Sequence, residues 1–132
     1  MSRYLIEVKK VKKNFNHKNG LVEIFKNVSL GVKAGDLVAL VGPSGSGKST
    51  FLHLLSFLDK PTSGQILFLG KDSKNFNEDE KDEIRRRKIS IIFQDNNLLS
   101  DFTTMENVIM PLMIRGEDYK SSLIKAKNVL KD

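Results

Sequence analysis

Nine consecutive residues constrain this chain more than anything else in it. Gly42, Pro43, Ser44, Gly45, Ser46, Gly47, Lys48, Ser49 and Thr50 fit the pattern G-x-x-x-x-G-K-[ST]. Residues 37–41, Leu-Val-Ala-Leu-Val, precede it as a short continuous apolar run of the kind that suits a buried parallel strand. Residues 48–58 then read as a helix. Strand, glycine loop and helix in that order make a phosphate-binding loop. The glycines let the backbone curl around an anion and turn successive N–H groups inward. The helix adds its unpaired N–H groups and the positive end of its dipole. Lys48 can reach β- and γ-phosphates, the Ser49 hydroxyl can ligate Mg²⁺, and Thr50 should lie near the α-phosphate. A chance match in a chain this long has odds of about 0.5 %.

The remaining patterning is mixed. Residues 4–11 read as a strand, 12–20 as a polar turn with Asn19-Gly20, and 21–32 as one or two strands. Residues 34–36 form a turn, 59–64 another, and 65–69 a strand. Asn77 and Glu80 have capping-box spacing, so a helix is expected over 78–87, with its acidic start and basic end suiting the helix dipole. Residues 89–93 read as a further apolar strand. Thr103 and Glu106 form a second capping box, opening a helix with Met105, Val108, Ile109, Leu112 and Met113 at helical spacing. Pro111 should kink or end it, and Gly116 breaks the chain. Tyr119, Leu123, Ala126 and Leu130 would line one face of a last helix.

Composition narrows the class. With 132 residues and 39 % hydrophobic content the chain can bury a core. The net charge is +6, with clusters at residues 9–13 and 85–88, but no aromatics interleave with them. That favours solvated faces over a nucleic-acid partner. Zero cysteines exclude disulfides and thiolate chemistry. No apolar run reaches the ~20 residues of a membrane-spanning helix, and residues 1–10 have no apolar signal core. A membrane role would need a partner.

A phosphate loop alone leaves GTPases, kinases and many ATPases open. The chain lacks the Asn-Lys-x-Asp and Asp-x-x-Gly patterns usual in guanine-specific proteins. Beyond the loop it resembles the ABC ATPase family over essentially its whole length. Residues 42–50 are similar to that family's Walker A, and Ile91-Ile-Phe-Gln-Asp95 to its Q-loop. Lys13-Asn-Phe15 is similar to its A-loop, where an aromatic stacks on adenine. Residues 51–64 and 98–112 resemble the lipoprotein-releasing (Lol-type) and macrolide-exporter group, with Phe57 standing where that group more often has a small residue.

The resemblance implies an α/β fold of the ABC-type P-loop class in truncated form, over residues 1–132. Residues 1–95 would hold an antiparallel β-subdomain and the P-loop core, and 96–132 the start of a helical subdomain. It also implies ATP and Mg²⁺ as ligands, with catalytic roles for Lys48 and Gln94. Phe15 and residues 42–50 would bind the nucleotide; Ser49 and Gln94 would contact the Mg²⁺. Partners would be membrane-embedded permease subunits, met on the cytoplasmic face of the inner membrane by residues 95–111, and a second ATP-binding subunit. The family's signature Leu-Ser-Gly-Gly-Gln, Walker B strand and switch His have no match; residues 62–65 lack a glycine, His17 sits in a polar turn and His53 on the loop helix. The expectation is an exporter or lipoprotein-releasing ATPase subunit in shortened, inactive form. Alternatives are a non-catalytic remnant and a soluble ABC ATPase acting on nucleic acid.

Overall fold

Side chains on one face of a strand recur every second residue, yet the apolar Val8 and Val11 are three apart. In the computed structural model, which describes residues 3–18 and 20–131, a bulge reconciles them. Strand β1 (Ile6–His17) runs antiparallel to β2 (Gly20–Val32), with Val8 opposite Leu30 and Val11 opposite Val28. Three steps on β1 thus match two on β2. Lys10 takes the extra place, at φ 48, and both valines are buried. On its other edge β1 pairs antiparallel with β3 (Ser63–Phe68), which pairs with β4 (Lys71–Asp72), giving the order β2-β1-β3-β4. Gly64 faces the bulge with φ 86. A side-chain carbon there would clash with the Lys10 carbonyl, so only glycine fits.

The chain divides into two compact units, Met1–Asp82 and Glu83–Asp132. In the first, helix α1 (Lys48–Leu55) buries Phe51 and Leu54. The Phe51 ring meets Phe25 of β2 edge-on at 5.6 Å. β1 continues to His17, well past the expected turn at residue 12, because Lys13, Asn14, Phe15, Asn16 and His17 all find partners on β2. Ladder pairing overrides polar composition there. Asn19 of the expected turn lies outside the described residues; its neighbours His17 and Gly20 pair. α1 ends three residues short of the expectation.

Residues 37–41 form no strand, against the sequence expectation. Leu37 and Val41 are 101 % and 87 % exposed. An apolar run becomes a strand only when another backbone pairs with it, and no described strand lies alongside.

Helix α2 (Glu78–Lys88) opens on the expected box: Asn77 N–H donates to Glu80 at 2.9 Å and Glu80 N–H to the Asn77 side chain at 2.8 Å. In the second unit residues 89–93 likewise form no strand, and Ile92 is 99 % exposed. Helix α3 (Thr104–Ile114) starts at the second capping box and runs through Pro111. It ends at Gly116, whose N–H donates to the Met113 carbonyl at 2.9 Å while Glu117 N–H donates to Leu112 at 3.1 Å. Helix α4 (Tyr119–Val129) packs on α3. It buries Ser122 and Ala126; of the expected face Ala126 is buried and Leu123 half-buried, whereas Tyr119 and Leu130 are exposed. The 3.6-residue period admits either stripe; packing selects the smaller residues, which let the helices approach.

Candidate functional site

The loop before α1 leaves the helix start open. Gly47 caps it at φ 87 with no side-chain hydrogen bond, and no acidic residue lies in the first turn. The N–H groups of that turn therefore lack helical partners, at the positive end of the helix. Gly47 cannot be larger: a side-chain carbon there would clash with Ile24 Cγ2 and lie 3.2 Å from Phe25 Cδ1. Ser46 N–H donates to the Pro43 carbonyl at 3.3 Å, closing a turn around Ser44 and Gly45. The Lys48 ammonium donates to the Gly42 and Pro43 carbonyls at 2.9 and 2.7 Å. A cation and a set of free amide donors thus share one exposed rim. Ser49 is exposed and Thr50 half-buried on the first turn of α1.

Phe15 projects from β1 as an exposed ring. The Lys13 ammonium lies 4.6 Å from its centroid. Lys13 itself is buried; it donates to Asp59 Oδ2 at 2.6 Å and to the Lys60 carbonyl at 2.9 Å. Burial pushes the Asp59 carboxyl up, but hydrogen bonds from Lys13 and the Lys60 N–H, with the Lys13 charge, hold it below its ordinary value. Lys13 pairs across the hairpin with Phe25, the residue that bounds the space at Gly47. Phe15 and the glycine loop therefore belong to the same unit and the same hairpin face. In the sequence Lys13 figures only as part of the A-loop resemblance, with no role of its own. Its signal was the Lys-x-Phe spacing at 13 and 15, legible only once β1 is carried beyond residue 12.

Gln94 lies in the second unit, exposed, in the irregular segment after residues 89–93. Further on, the Asn107 side-chain amide donates to the carbonyls of Leu99, Phe102 and Thr103 at 3.1, 3.1 and 3.0 Å and accepts from Leu99 N–H at 2.9 Å. Among the described residues no group of three His, Asp or Glu could hold a metal. No helix there is long and apolar enough to cross a membrane. A divalent ion fits this chemistry only if phosphate oxygens and water supply most of its ligands and a hydroxyl such as that of Ser49 supplies one.

Over residues 25–132 the sequence matches the family described as ABC transporter. The chain belongs to the ABC transporter family. Its likeness to the lipoprotein-releasing system ATP-binding protein LolD of Legionella pneumophila (strain Paris) is 42 % identity over 131 residues, which is 98 % of this chain and 57 % of that protein. LolD of Acinetobacter baylyi is 40 % identical, with 98 % and 58 % covered. Among solved structures, the dimeric structure of MJ0796, a bacterial ABC transporter cassette, superposes with a TM-score of 0.86 at 36 % identity, over 96 % of this chain and 56 % of that one. The same cassette in a post-hydrolysis state bound to ADP and Pi gives the same values. The ABC fold expected from the sequence is therefore the fold this chain has. It spans a little over half the length of the curated relatives it matches.

Proposed function

We propose that this ABC chain carries the nucleotide-binding face of an ATP-hydrolysing transporter subunit. The observation that carries the proposal is the open start of α1 beside the Lys48 ammonium. A triphosphate would accept from the Lys48 ammonium in place of the Gly42 and Pro43 carbonyls, and from the free amides of the loop and first helical turn. Lys48 would then neutralise charge developing on the transferred phosphoryl group. Mg²⁺, held largely by phosphate oxygens, would add further neutralisation; Ser49 would supply the hydroxyl ligand, and Thr50 would approach the α-phosphate. The backbone of residues 42–47 would wrap the phosphates, and Phe15 would stack on the base. The proposal for Gln94 as a catalytic residue rests on the Q-loop resemblance of residues 91–95 alone.

Lipoprotein release is the transport process we assign, on the names of the relatives at 42 and 40 % identity. The working assembly would then pair two such subunits, as the MJ0796 cassette is dimeric, with permease subunits in the inner membrane. The test is turnover of MgATP by the protein purified at its natural length. Lys48→Ala is expected to lower turnover by about 10²–10³-fold. Unchanged turnover in that variant would remove the phosphate loop from the mechanism.

A further inference from the structure

A buried lysine needs a reason, because an ammonium taken out of water without partners is costly. Lys13 has a side-chain exposure of 8 %. Its three donors form a tetrahedral fan. Oxygens of Asp59 and Lys60, at 2.6 and 2.9 Å, engage it from the link between α1 and β3, and the Phe15 ring lies 4.6 Å away. We infer that Lys13 is a positioning residue for base recognition: the clamped ammonium fixes the Phe15 ring as a platform with one face covered and the other free for the base of a nucleoside triphosphate. The inference rests on the proposed reading of Phe15 as the base-stacking residue.

Three observations converge on it. First, the clamp does not depend on Lys13 alone. Thr62 N–H donates to the Lys12 carbonyl at 2.9 Å, and Asn14 N–H donates to Thr62 Oγ1 at 2.9 Å. The link is thereby laced to β1 on both sides of Lys13. Second, the link follows α1, whose first turn is the phosphate rim. One short stretch of chain thus begins at the proposed triphosphate site and ends by holding the strand that carries Phe15. Third, the charge acts on the ring. A cation over one face draws on its π electrons and leaves the far face better suited to an electron-rich base. A ring already held also loses less freedom when a ligand stacks on it. The ligand class is a triphosphate bearing a large electron-rich base, as opposed to a bare polyphosphate.

The experiment compares affinities for ATP and for inorganic tripolyphosphate, with Mg²⁺, by calorimetry on the protein at its natural length. In Lys13→Met the ATP-to-tripolyphosphate affinity ratio is expected to fall about fivefold. Affinity for tripolyphosphate stays unchanged, and Lys13→Arg keeps the ratio. Lys13→Gln retains a donor for the Lys60 carbonyl and is read in the same way should the methionine variant fail to melt cooperatively. Equal losses for both ligands would show a merely structural lysine and overturn the inference. So would an unchanged ratio in Lys13→Met when Phe15→Ala lowers it. If Phe15→Ala itself leaves the ratio intact, the base-stacking reading falls, and the role of Lys13 falls with it.

Discussion

The Phe57 ring stands edge-on to Phe68 at 6.0 Å while its own backbone sits at φ 60. A bulky residue in the left-handed region costs about 1–2 kcal/mol, and Phe57 is buried despite it. The small residue that the Lol-type group more often carries here is what that backbone asks for. Phe57→Gly and Phe57→Ala both lose the ring and both destabilise, but they differ in backbone cost. Glycine is expected to be the more stable of the two by about 1 kcal/mol, the reverse of the usual order. Urea melts of the two variants decide it; alanine at or above glycine would mean the backbone carries no strain.

Gly47→Ala meets two obstacles, a left-handed φ and Ile24 Cγ2. Together these should cost about 2–4 kcal/mol of stability. Ile24→Ala in the same background removes the clash and leaves the φ. Thermal melts of the single and double variants should therefore show partial recovery. Full additivity of the two losses would place Ile24 elsewhere.

The hydroxyl of Ser122 is buried in α4 with no partner among the described residues. Ser122→Ala removes that unsatisfied group and adds helix propensity, so stability should rise by about 1 kcal/mol. A fall in melting temperature would mean that the hydroxyl is satisfied in solution.

Asp59 gives a pH dependence whose sign can be worked out. Its folded pKa lies below the ordinary value despite burial, through Lys13 and the Lys60 N–H. The stabilisation is then fully present above the ordinary carboxylate range near about pH 4 and disappears as pH falls through the lower folded value. Hydrogen bonds from Lys71 and the Asn77 N–H lower Glu80, and those from the Thr103 side chain and backbone lower Glu106, so the acid limb is shared. Asp59→Asn should make that limb shallower without moving the plateau at neutral pH beyond its uniform loss. A limb of unchanged slope would show that Lys13 and Asp59 are not paired.

Leu37, Val41 and Ile92 are almost wholly exposed. The 132-residue chain expressed by itself should bind a hydrophobic dye and associate as concentration rises. Leu37→Lys and Ile92→Lys should each reduce both signals. A monodisperse chain that ignores the dye would show these runs to be covered in solution.

The parts of this molecule that local chemistry dictates could be read directly. The glycine loop running into α1, both capping boxes and the break at Gly116 each depend on residues within a few positions of one another. Residues 37–41 and 89–93 went wrong for one reason: apolar content signals that a segment can be a strand, and pairing decides whether it is. β1 was cut short at residue 12 because Lys12 and Lys13 look solvated, whereas Lys13 is buried against partners 46 and 47 positions away, Asp59 and Lys60. The α4 face is legible only in part: Ala126 is buried and Leu123 half-buried as expected, but packing against α3 also buries Ser122 and leaves Tyr119 and Leu130 exposed.

The bulge at Lys10 sets the phase of everything beyond it on β1. Before it, Val8 faces inward on even numbers; after it, Val11, Lys13 and, over the ammonium, Phe15 follow on odd ones. A regular strand through the same residues would exchange the two sets, turning Lys13 to solvent and burying Lys12 and Asn14 in its stead. Loss of Lys10, by contrast, would leave Val8 and Val11 two steps apart, matching the two steps from Leu30 to Val28, and keep Lys13 on its present face. The bulge, and not the side chain that occupies it, thus decides on which face of the hairpin the ring of Phe15 stands.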